Sequence, residues 1–261
     1  MFLLFAKIKI MQNLDEYINN KEILIVAHRG SSGTAPENSL SAYKEAIEAG
    51  ANMIEVDIQI TKDNQIVAYH DYYPAGMSKK ISELEFDEIK DIDIGSGFDE
   101  KFINERIPLL TQVLELAKDR CYIMLEIKTI TGEKFTQSCN VLLDLIKQYN
   151  YEKNTIFGSF NYAALSLIKQ MNPNLYTAAI KIPGDKSTPA EIKKVTGCVA
   201  FICSVEEFNE EISKNAIENN IITGVYSVET KYQLEQVLSL GCRAIATNYP
   251  KKIKKLLEEL N

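Results

Sequence analysis

Residues 53–71 read MIEVDIQITKDNQIVAYHD and decide the fold. Their first half is an apolar run interrupted by Glu55 and Asp57, two positions apart, which is the spacing of residues on one face of a strand. Residues 61–65 are polar and leave room only for a tight turn before the second apolar run, 66–68. A connection this short makes an antiparallel hairpin, because a helical crossover needs a dozen or more residues. The stretch therefore predicts a strand that runs past the rim of a sheet and folds back.

Apolar strand-like runs alternate with segments of helical periodicity along the chain outside this hairpin. The strands are predicted at 24–27, 53–57, 122–127, 155–159, 176–180, 199–203, 222–227 and 244–247. The helices are predicted at 37–49, 109–119, 134–149, 161–171, 190–195, 209–219, 230–240 and 250–260. Eight alternating units favour a closed α/β fold, a (β/α)8 TIM-like barrel, with an open doubly wound sheet as the alternative.

The length of 261 residues fits one barrel domain that spans residues 1–261. Residues 72–106 depart from the alternation, since they are acidic, contain three glycines and are long for a loop. We expect this stretch to form a small inserted lobe over one mouth of the barrel.

Composition limits the partners of the protein. The net charge of −7 gives no general attraction to nucleic acid or to an anionic membrane. No run approaches the roughly 20 apolar residues that a membrane span needs. The apolar residues 1–10 lack a basic leading region and a small-residue cleavage site, and Met11 is an alternative start. Five cysteines without a Cys-x-x-Cys pair predict buried thiols in a reducing compartment, so we expect a cytoplasmic protein.

The hairpin also predicts a cluster of functional groups. If Thr61 pairs with Ile66, Asp57 lies opposite His70 with Cβ atoms roughly 5 Å apart, and Glu55 shares their face. A register slipped by one residue would turn His70 to the other face. The alternative is a solvated hairpin whose polar residues are unrelated.

A third acid, Glu126, ends a later strand beside Lys128, again at the spacing of one face. Three carboxylates at one barrel mouth suit a hard divalent cation, Mg²⁺ or Ca²⁺, because such ions prefer oxygen ligands. The predicted metal ligands are Glu55, Asp57 and Glu126. The alternative for Glu126 and Lys128 is a structural ion pair inside the barrel.

The remaining polar residues suggest metal-assisted phosphodiester hydrolysis. Arg29 and Lys128 are candidate phosphate contacts, although Arg29 alternatively closes a surface ion pair. His28 and His70 are the two histidines of the chain, and each follows an apolar run. Imidazole titrates near neutral pH, so the pair is suited to act as general acid and general base.

Many short motifs follow one another from residue 24 to residue 250. They are Ala27-His28-Arg29-Gly30, Pro36-Glu37-Asn38-Ser39, Gly50 to Asp57, Thr61-Lys62-Asp63, His70-Asp71, Arg106 to Leu110, Glu126-Ile127-Lys128, Ser159-Phe160 and Thr247-Asn248-Tyr249-Pro250. In order and spacing this set resembles the glycerophosphodiester phosphodiesterases.

The resemblance implies a TIM-like barrel with an inserted lobe after the His-Asp motif. It implies metal-dependent hydrolysis of a small-molecule glycerophosphodiester, such as a deacylated phospholipid, to glycerol 3-phosphate and an alcohol. Carried over by position, it implies that His28 and His70 are the acid/base pair and that Arg29 and Lys128 contact the phosphate. It implies that the metal ligands are Glu55, Asp57 and Glu126.

Some segments depart from the family pattern around these residues. Residues 72–79 stand where the family often has a Leu-x-Arg-Thr-Thr-like stretch, and Tyr226-Ser227-Val228 stands where a Trp-Thr-Val-like segment is common. The groups that bind the glycerol and the leaving alcohol therefore stay open. Two other functions stay as alternatives. One is a lysophospholipase D-like or phosphatidylinositol-cleaving activity, and the other is a non-catalytic sensor that binds glycerophosphodiesters. The sequence leaves the head group and the oligomeric state open.

Overall fold

The computed structural model describes residues 13–20, 22–128 and 134–260. Its strands are β1 (Leu24–Ala27), β2 (Met53–Ile60), β3 (Ile66–Ala68), β4 (Tyr122–Ile127), β5 (Thr155–Ser159), β6 (Tyr176–Ile180), β7 (Ala200–Ser204), β8 (Ile222–Tyr226) and β9 (Ala244–Thr247). Eight of them pair in parallel in the order β1, β2, β4, β5, β6, β7, β8 and β9, and β9 pairs with β1. The predicted closed (β/α)8 barrel is confirmed, and β3 is the antiparallel return of the hairpin.

Helices follow the barrel strands as the periodicity predicts. They are α1 (Leu14–Asn20), α2 (Leu40–Glu48), α3 (Phe86–Ile89), α4 (Leu110–Ala117), α5 (Lys134–Gln148), α6 (Tyr162–Met171), α7 (Pro189–Thr196), α8 (Glu210–Glu218), α9 (Lys231–Ser239) and α10 (Pro250–Leu260). Short 3₁₀ turns lie at Ile81–Glu83, Glu100–Phe102 and Glu152–Asn154. The helices α1 and α3 were not predicted, because their seven and four residues are too few to show a helical period.

The prediction that α2 begins at residue 37 is wrong by three residues. Ser39 caps the helix by accepting a hydrogen bond from the backbone of Ala42, and Asn38 has a left-handed backbone with φ of 54°. The chain before the helix turns at Gly30, whose φ is +81° and where a Cβ would lie 2.6 Å from the Ala42 backbone carbon. Glycine is required there because α2 approaches the end of β1 closely.

The barrel interior is filled differently at its two ends. Leu24, Val26, Met53, Tyr122 and Met124 occupy the lower layers, and α1 closes the bottom with Leu14 and Tyr17. The upper ends of the same strands carry polar side chains. Period-two alternation places both sets of side chains inside the barrel, since successive residues of a strand point to opposite faces.

The hairpin register differs by one residue from the predicted one. Ile60 pairs with Ile66, and Thr61 belongs to the turn, where its side chain accepts a hydrogen bond from the Gln65 backbone. Tyr69, not His70, therefore lies beside Asp57, and its N–H donates to the Asp57 carbonyl at 3.0 Å. The expectation that strand pairing places His70 opposite Asp57 is wrong.

Residues 72–106 contain α3 and two of the 3₁₀ turns, and they carry a small apolar cluster of their own. Its buried members inside this stretch are Ile81, Leu84 and Ile89, which pack with Val67 of β3 and with Ile107. The hairpin therefore anchors this stretch, called the lobe below, to the barrel.

No helix within residues 13–20, 22–128 and 134–260 is long and apolar enough to cross a membrane. The expectations about residues 1–10 and the alternative start at Met11 lie outside the described residues.

Candidate active site

The site residues come from the carboxyl ends of three neighbouring barrel strands. Interior positions along each strand are apolar at the bottom and polar at the top. The three series are Leu24, Val26 and His28; Met53, Glu55 and Asp57; and Tyr122, Met124, Glu126 and Lys128. Parallel strands end at the same mouth of a barrel, so these side chains meet there.

His28 lies directly after β1, and its Nδ1 is 2.8 Å from the amide oxygen of Asn248. An amide oxygen only accepts hydrogen bonds, so Nδ1 carries the proton and Nε2 keeps its lone pair. Burial and the neighbouring Arg29 cation lower the pKa of His28. The ring is therefore held neutral, in one tautomer and one orientation.

Arg29 lies in a strained turn after β1, and both its backbone and its side chain contact the carboxylates. Its φ is 55°, which is rare for a residue with a side chain. The Arg29 backbone N–H donates to Glu55 Oε2 at 2.8 Å, and its guanidinium Nε lies 3.1 Å from Asp57 Oδ2. A further guanidinium nitrogen lies 2.8 Å from Glu37. Arg29 therefore does form the surface ion pair that was considered as its alternative role, because it bridges the buried Asp57 and the exposed Glu37.

The carboxylates of Glu55, Asp57 and Glu126 each place an oxygen within 4.8 Å of the others. Burial, together with the like charges of Asp57 and Glu126, raises the pKa of Glu55 well above its usual range. Glu55 Oε1 is buried and has no hydrogen-bond partner among the described residues. Once ionised, an oxygen in that position needs a cation beside it.

Lys128 supplies one positive charge to this cluster. Its Nζ lies 2.6 Å from Asp57 Oδ1 and also contacts Glu126. Burial alone would raise the pKa of Asp57, but the cations of Lys128 and Arg29 outweigh it and hold that pKa below its usual value. Asp57 is therefore ionised and completely buried.

His70 reaches the same mouth from the segment after β3. Its Nδ1 lies 2.7 Å from the carboxylate of the adjacent Asp71. The buried side-chain amide of Gln59 donates to the carbonyl oxygens of Tyr69 and Asp71, and so fixes this segment. The position of His70 is set by this amide and not by strand pairing.

A cavity of about 210 Å³ joins these groups. Its polar wall consists of His28, Arg29, Glu55, His70, Glu126 and Lys128. Its apolar wall consists of Val26, Met124, Phe160, Ile180, Ile202, Gly224, Val225, Tyr226, Ala244 and Ala246. Six of the seven residues singled out from the sequence thus line one cavity, and the seventh, Asp57, lies behind Lys128 without reaching it.

Two residues at the site were missed as functional residues. Asn38 donates to Asp57 Oδ2 at 2.8 Å and accepts hydrogen bonds from the Asp57 backbone and from Tyr43. Asn248 orients His28 and is itself held by Glu229, which accepts from its backbone N–H at 3.1 Å. Both residues belong to motifs noted in the sequence. They lie in turns, however, and a turn has no periodic pattern from which a hydrogen-bond partner could be predicted.

The cluster fits a divalent metal by its donor set and its charge. With all three carboxylates ionised, as metal binding requires, the two cations Arg29 and Lys128 leave one negative charge. Oxygen donors alone, with one buried and unpaired, suit Mg²⁺ or Ca²⁺. Adding a divalent ion would make the cluster singly positive, which complements the single negative charge of a phosphodiester.

Known proteins resemble this chain in sequence and in fold. A glycerophosphodiester phosphodiesterase of Caldanaerobacter subterraneus is 31% identical over 249 residues, which cover 90% of this chain and 98% of that protein. A phosphodiesterase of Oleispira antarctica, solved with the product sn-glycerol-3-phosphate, has the same fold, with a TM-score of 0.85 at 23% identity over 92% of this chain and 99% of that chain.

Human lysophospholipase D GDPD1 is 31% identical over 163 residues, which cover 58% of this chain and 49% of that protein. The model of the glycerophosphoryl diester phosphodiesterase family matches residues 28–252, which include every residue of the cavity's polar wall. This chain belongs to the glycerophosphoryl diester phosphodiesterase family.

Proposed function

We propose that this protein hydrolyses glycerophosphodiesters to glycerol 3-phosphate and an alcohol, with a divalent metal ion and with His28 and His70 as the proton-transfer pair. The observation that carries the proposal is the meeting of both histidines and the carboxylate cluster at one cavity. Membership of the family supports the reaction class. We further propose that the chain acts as one barrel domain with its lobe at the active mouth.

Glu55, Asp57 and Glu126 are the residues that would hold the metal ion. When bound, the ion would polarise a phosphoryl oxygen and offset its charge. The chain itself provides Lys128 at the cavity wall as a positive contact for the phosphate. Arg29, which also lines the cavity, adds a second positive charge while its backbone N–H orients Glu55.

We assign the general base to His28. Its lone pair on Nε2 is available because Asn248 holds the proton on Nδ1, and its lowered pKa keeps the ring neutral near neutral pH. Nε2 accepts a proton from the attacking water as the water oxygen bonds to phosphorus and the bond from phosphorus to the leaving oxygen breaks. A neutral imidazole in a fixed orientation is the form that such a step needs.

We assign the general acid to His70. The Asp71 carboxylate accepts a hydrogen bond from Nδ1, which orients the ring and leaves Nε2 as the nitrogen that can face the leaving oxygen. His70 donates a proton to the leaving oxygen as its bond to phosphorus breaks. The proton gained by His28 and the proton lost by His70 balance, and solvent returns both rings to their starting forms.

The size of the cavity favours a small substrate. A cavity of roughly 150 Å³ holds a benzene ring, so about 210 Å³ holds a glycerol phosphate group but no long acyl chain. A separate space of about 50 Å³ lies toward the barrel bottom, where Leu14 and Tyr17 line it. The apolar wall of the cavity is the observation that keeps a lysophospholipase D-like activity as the second candidate.

We expect the protein to release glycerol 3-phosphate from glycerophosphocholine at least tenfold faster, measured as kcat/KM, than it cleaves lysophosphatidylcholine. The physical reason is that the acyl chain must remain outside the cavity. Both substrates carry the same head group, so the comparison isolates the chain. Faster cleavage of the lysophospholipid would favour the second candidate, and tight binding of either compound without product would favour a sensor.

The proposed site of the reaction in the cell is the cytoplasm. The five cysteines are all buried as free thiols, which is the state expected in a reducing compartment.

A further inference from the structure

A second cleft opens beside His70, between the barrel mouth and the lobe. Its volume is about 260 Å³. Residues of the barrel loops and of the lobe both line it, among them Tyr69 and Asp71 on one side and Asp93 and Phe98 on the other. We call this space the lobe cleft.

The lining of the lobe cleft combines negative charge with aromatic rings. Its lining includes the three carboxylates Glu37, Asp71 and Asp93 and contains neither lysine nor arginine. Hydrogen bonds from the side chain and backbone of Ser96 hold the pKa of Asp93 down to about 2, so this acid is ionised at neutral pH. Two of these acids have a cationic partner outside the lining, since Glu37 lies 2.8 Å from Arg29 and Asp93 lies 3.9 Å from Arg106. The cleft itself presents carboxylate oxygens between the active cavity and solvent, with no lysine or arginine in its wall.

Two aromatic side chains complete the lining. Phe98 is 47% exposed, and its ring is held by an edge-to-face contact with Phe102, with ring centres 5.8 Å apart. Tyr69 accepts a hydrogen bond on its hydroxyl group from the Ala75 backbone, which fixes its ring across the cleft. Aromatic faces beside carboxylates are the combination that recognises organic ammonium groups.

His70 lines both the active cavity and the lobe cleft. A general acid lies next to the oxygen that it protonates, so the departing alcohol occupies a space that His70 borders. The other opening beside His70 includes the cation of Lys128 in its wall. Of these two openings, the lobe cleft is the one whose wall combines carboxylates with the rings of Tyr69 and Phe98 and contains no lysine or arginine.

We propose that the lobe cleft binds the leaving alcohol when that alcohol carries a quaternary or primary ammonium group, and that Phe98 determines this specificity. The inference rests on the proposed function, because it requires His70 to protonate the leaving oxygen. It makes the lobe a selector for phosphodiesters of small amino alcohols over those of neutral alcohols.

The test compares glycerophosphocholine with glycerophosphoglycerol, which share the glycerol phosphate part and differ only in the leaving alcohol. We expect the wild-type protein to prefer glycerophosphocholine. In Phe98→Leu, which keeps an apolar side chain but removes the aromatic face, kcat/KM for glycerophosphocholine should fall about 2- to 5-fold, the size of an exposed cation–π contact. The loss should lie in KM, and glycerophosphoglycerol should be unaffected.

Tyr232→Leu is the matched control, since Tyr232 is an exposed aromatic residue on α9 outside the lining of the lobe cleft. Added salt gives a second readout and should weaken the preference for the cationic substrate. Equal losses on both substrates in Phe98→Leu, or no preference in the wild type, would overturn the inference while leaving the proposed function intact. Failure of the wild type to hydrolyse either substrate with metal present would overturn both.

Discussion

Replacing His28 with Ala is expected to lower kcat at least about 100-fold whichever alcohol leaves, the usual scale for loss of a general base. The attacking oxygen must lose its proton in every case, and His28 is the neutral ring positioned to take it. Steady-state rates on glycerophosphocholine and on the p-nitrophenyl ester of glycerol 3-phosphate measure this directly.

His70→Ala should behave differently on the two substrates. With glycerophosphocholine the loss should again be about 100-fold or more, because a choline alkoxide leaves poorly without a proton. With the p-nitrophenyl ester the loss should be small, since that leaving group is stable as an anion.

The different losses of His28→Ala and His70→Ala on the p-nitrophenyl ester distinguish the general base from the general acid. Equal losses for both variants on both esters would contradict the assignment of roles, and the reverse pattern would exchange the roles. Asn248→Ala serves as an intermediate case, because it leaves the His28 ring in place but removes the partner that fixes its tautomer. Its loss should resemble that of His28→Ala in direction and be smaller.

Glu55→Gln is expected to abolish both activity and the thermal stabilisation of the protein by metal. At a metal concentration of 100 times Kd, binding stabilises the folded protein by about 2.7 kcal/mol, which raises Tm by about 5–10 °C in a protein of this size. The variant replaces the carboxylate whose Oε1 is buried without a partner, so the wild-type rise in Tm should disappear.

The metal-free variant should nevertheless fold as stably as the metal-free wild type or more stably. A raised pKa means that the folded protein holds the Glu55 proton more tightly than the unfolded chain, so ionising Glu55 at neutral pH costs stability. An amide removes that cost. Glu37→Gln is the matched control, since Glu37 lies outside the carboxylate cluster and should keep the metal response. An unchanged metal-induced rise in Tm in Glu55→Gln would refute its role as a ligand.

The barrel was predictable because its strands are buried on both faces. Such strands appear in sequence as short continuous apolar runs, as in 24–27 and 122–127, and amphipathic helices between them complete the pattern. Period two along each run also predicted which acids share a face. The meeting of His28, Glu55 and Glu126 at one mouth follows from that period and from parallel pairing alone.

The hairpin register was not predictable in the same way. Both ends of the hairpin are apolar, so hydrophobicity fits either pairing, and the turn decides between them. The Thr61 hydroxyl donates a hydrogen bond to the Asp63 carboxylate at 2.6 Å, and Asn64 adopts a left-handed φ of 64°, so Thr61 belongs to the turn. His70 still reaches the site because it lies beyond the end of β3, where the face of a strand no longer sets its direction.

The contacts of site residues that lie in turns could not be predicted from the sequence either. Asn38 and Asn248 each contact a site residue that is far away in the chain, and no periodic signal links such pairs. The motifs that contain them mark the positions but not their partners.

The most direct test of the central claim is a measurement of products from glycerophosphocholine, with Mg²⁺ or Ca²⁺ and after removal of metal by EDTA. Glycerol 3-phosphate and choline should appear in equal amounts with metal, and neither product should appear after EDTA treatment. Release of phosphocholine, or full activity in metal-free buffer, would contradict the central claim.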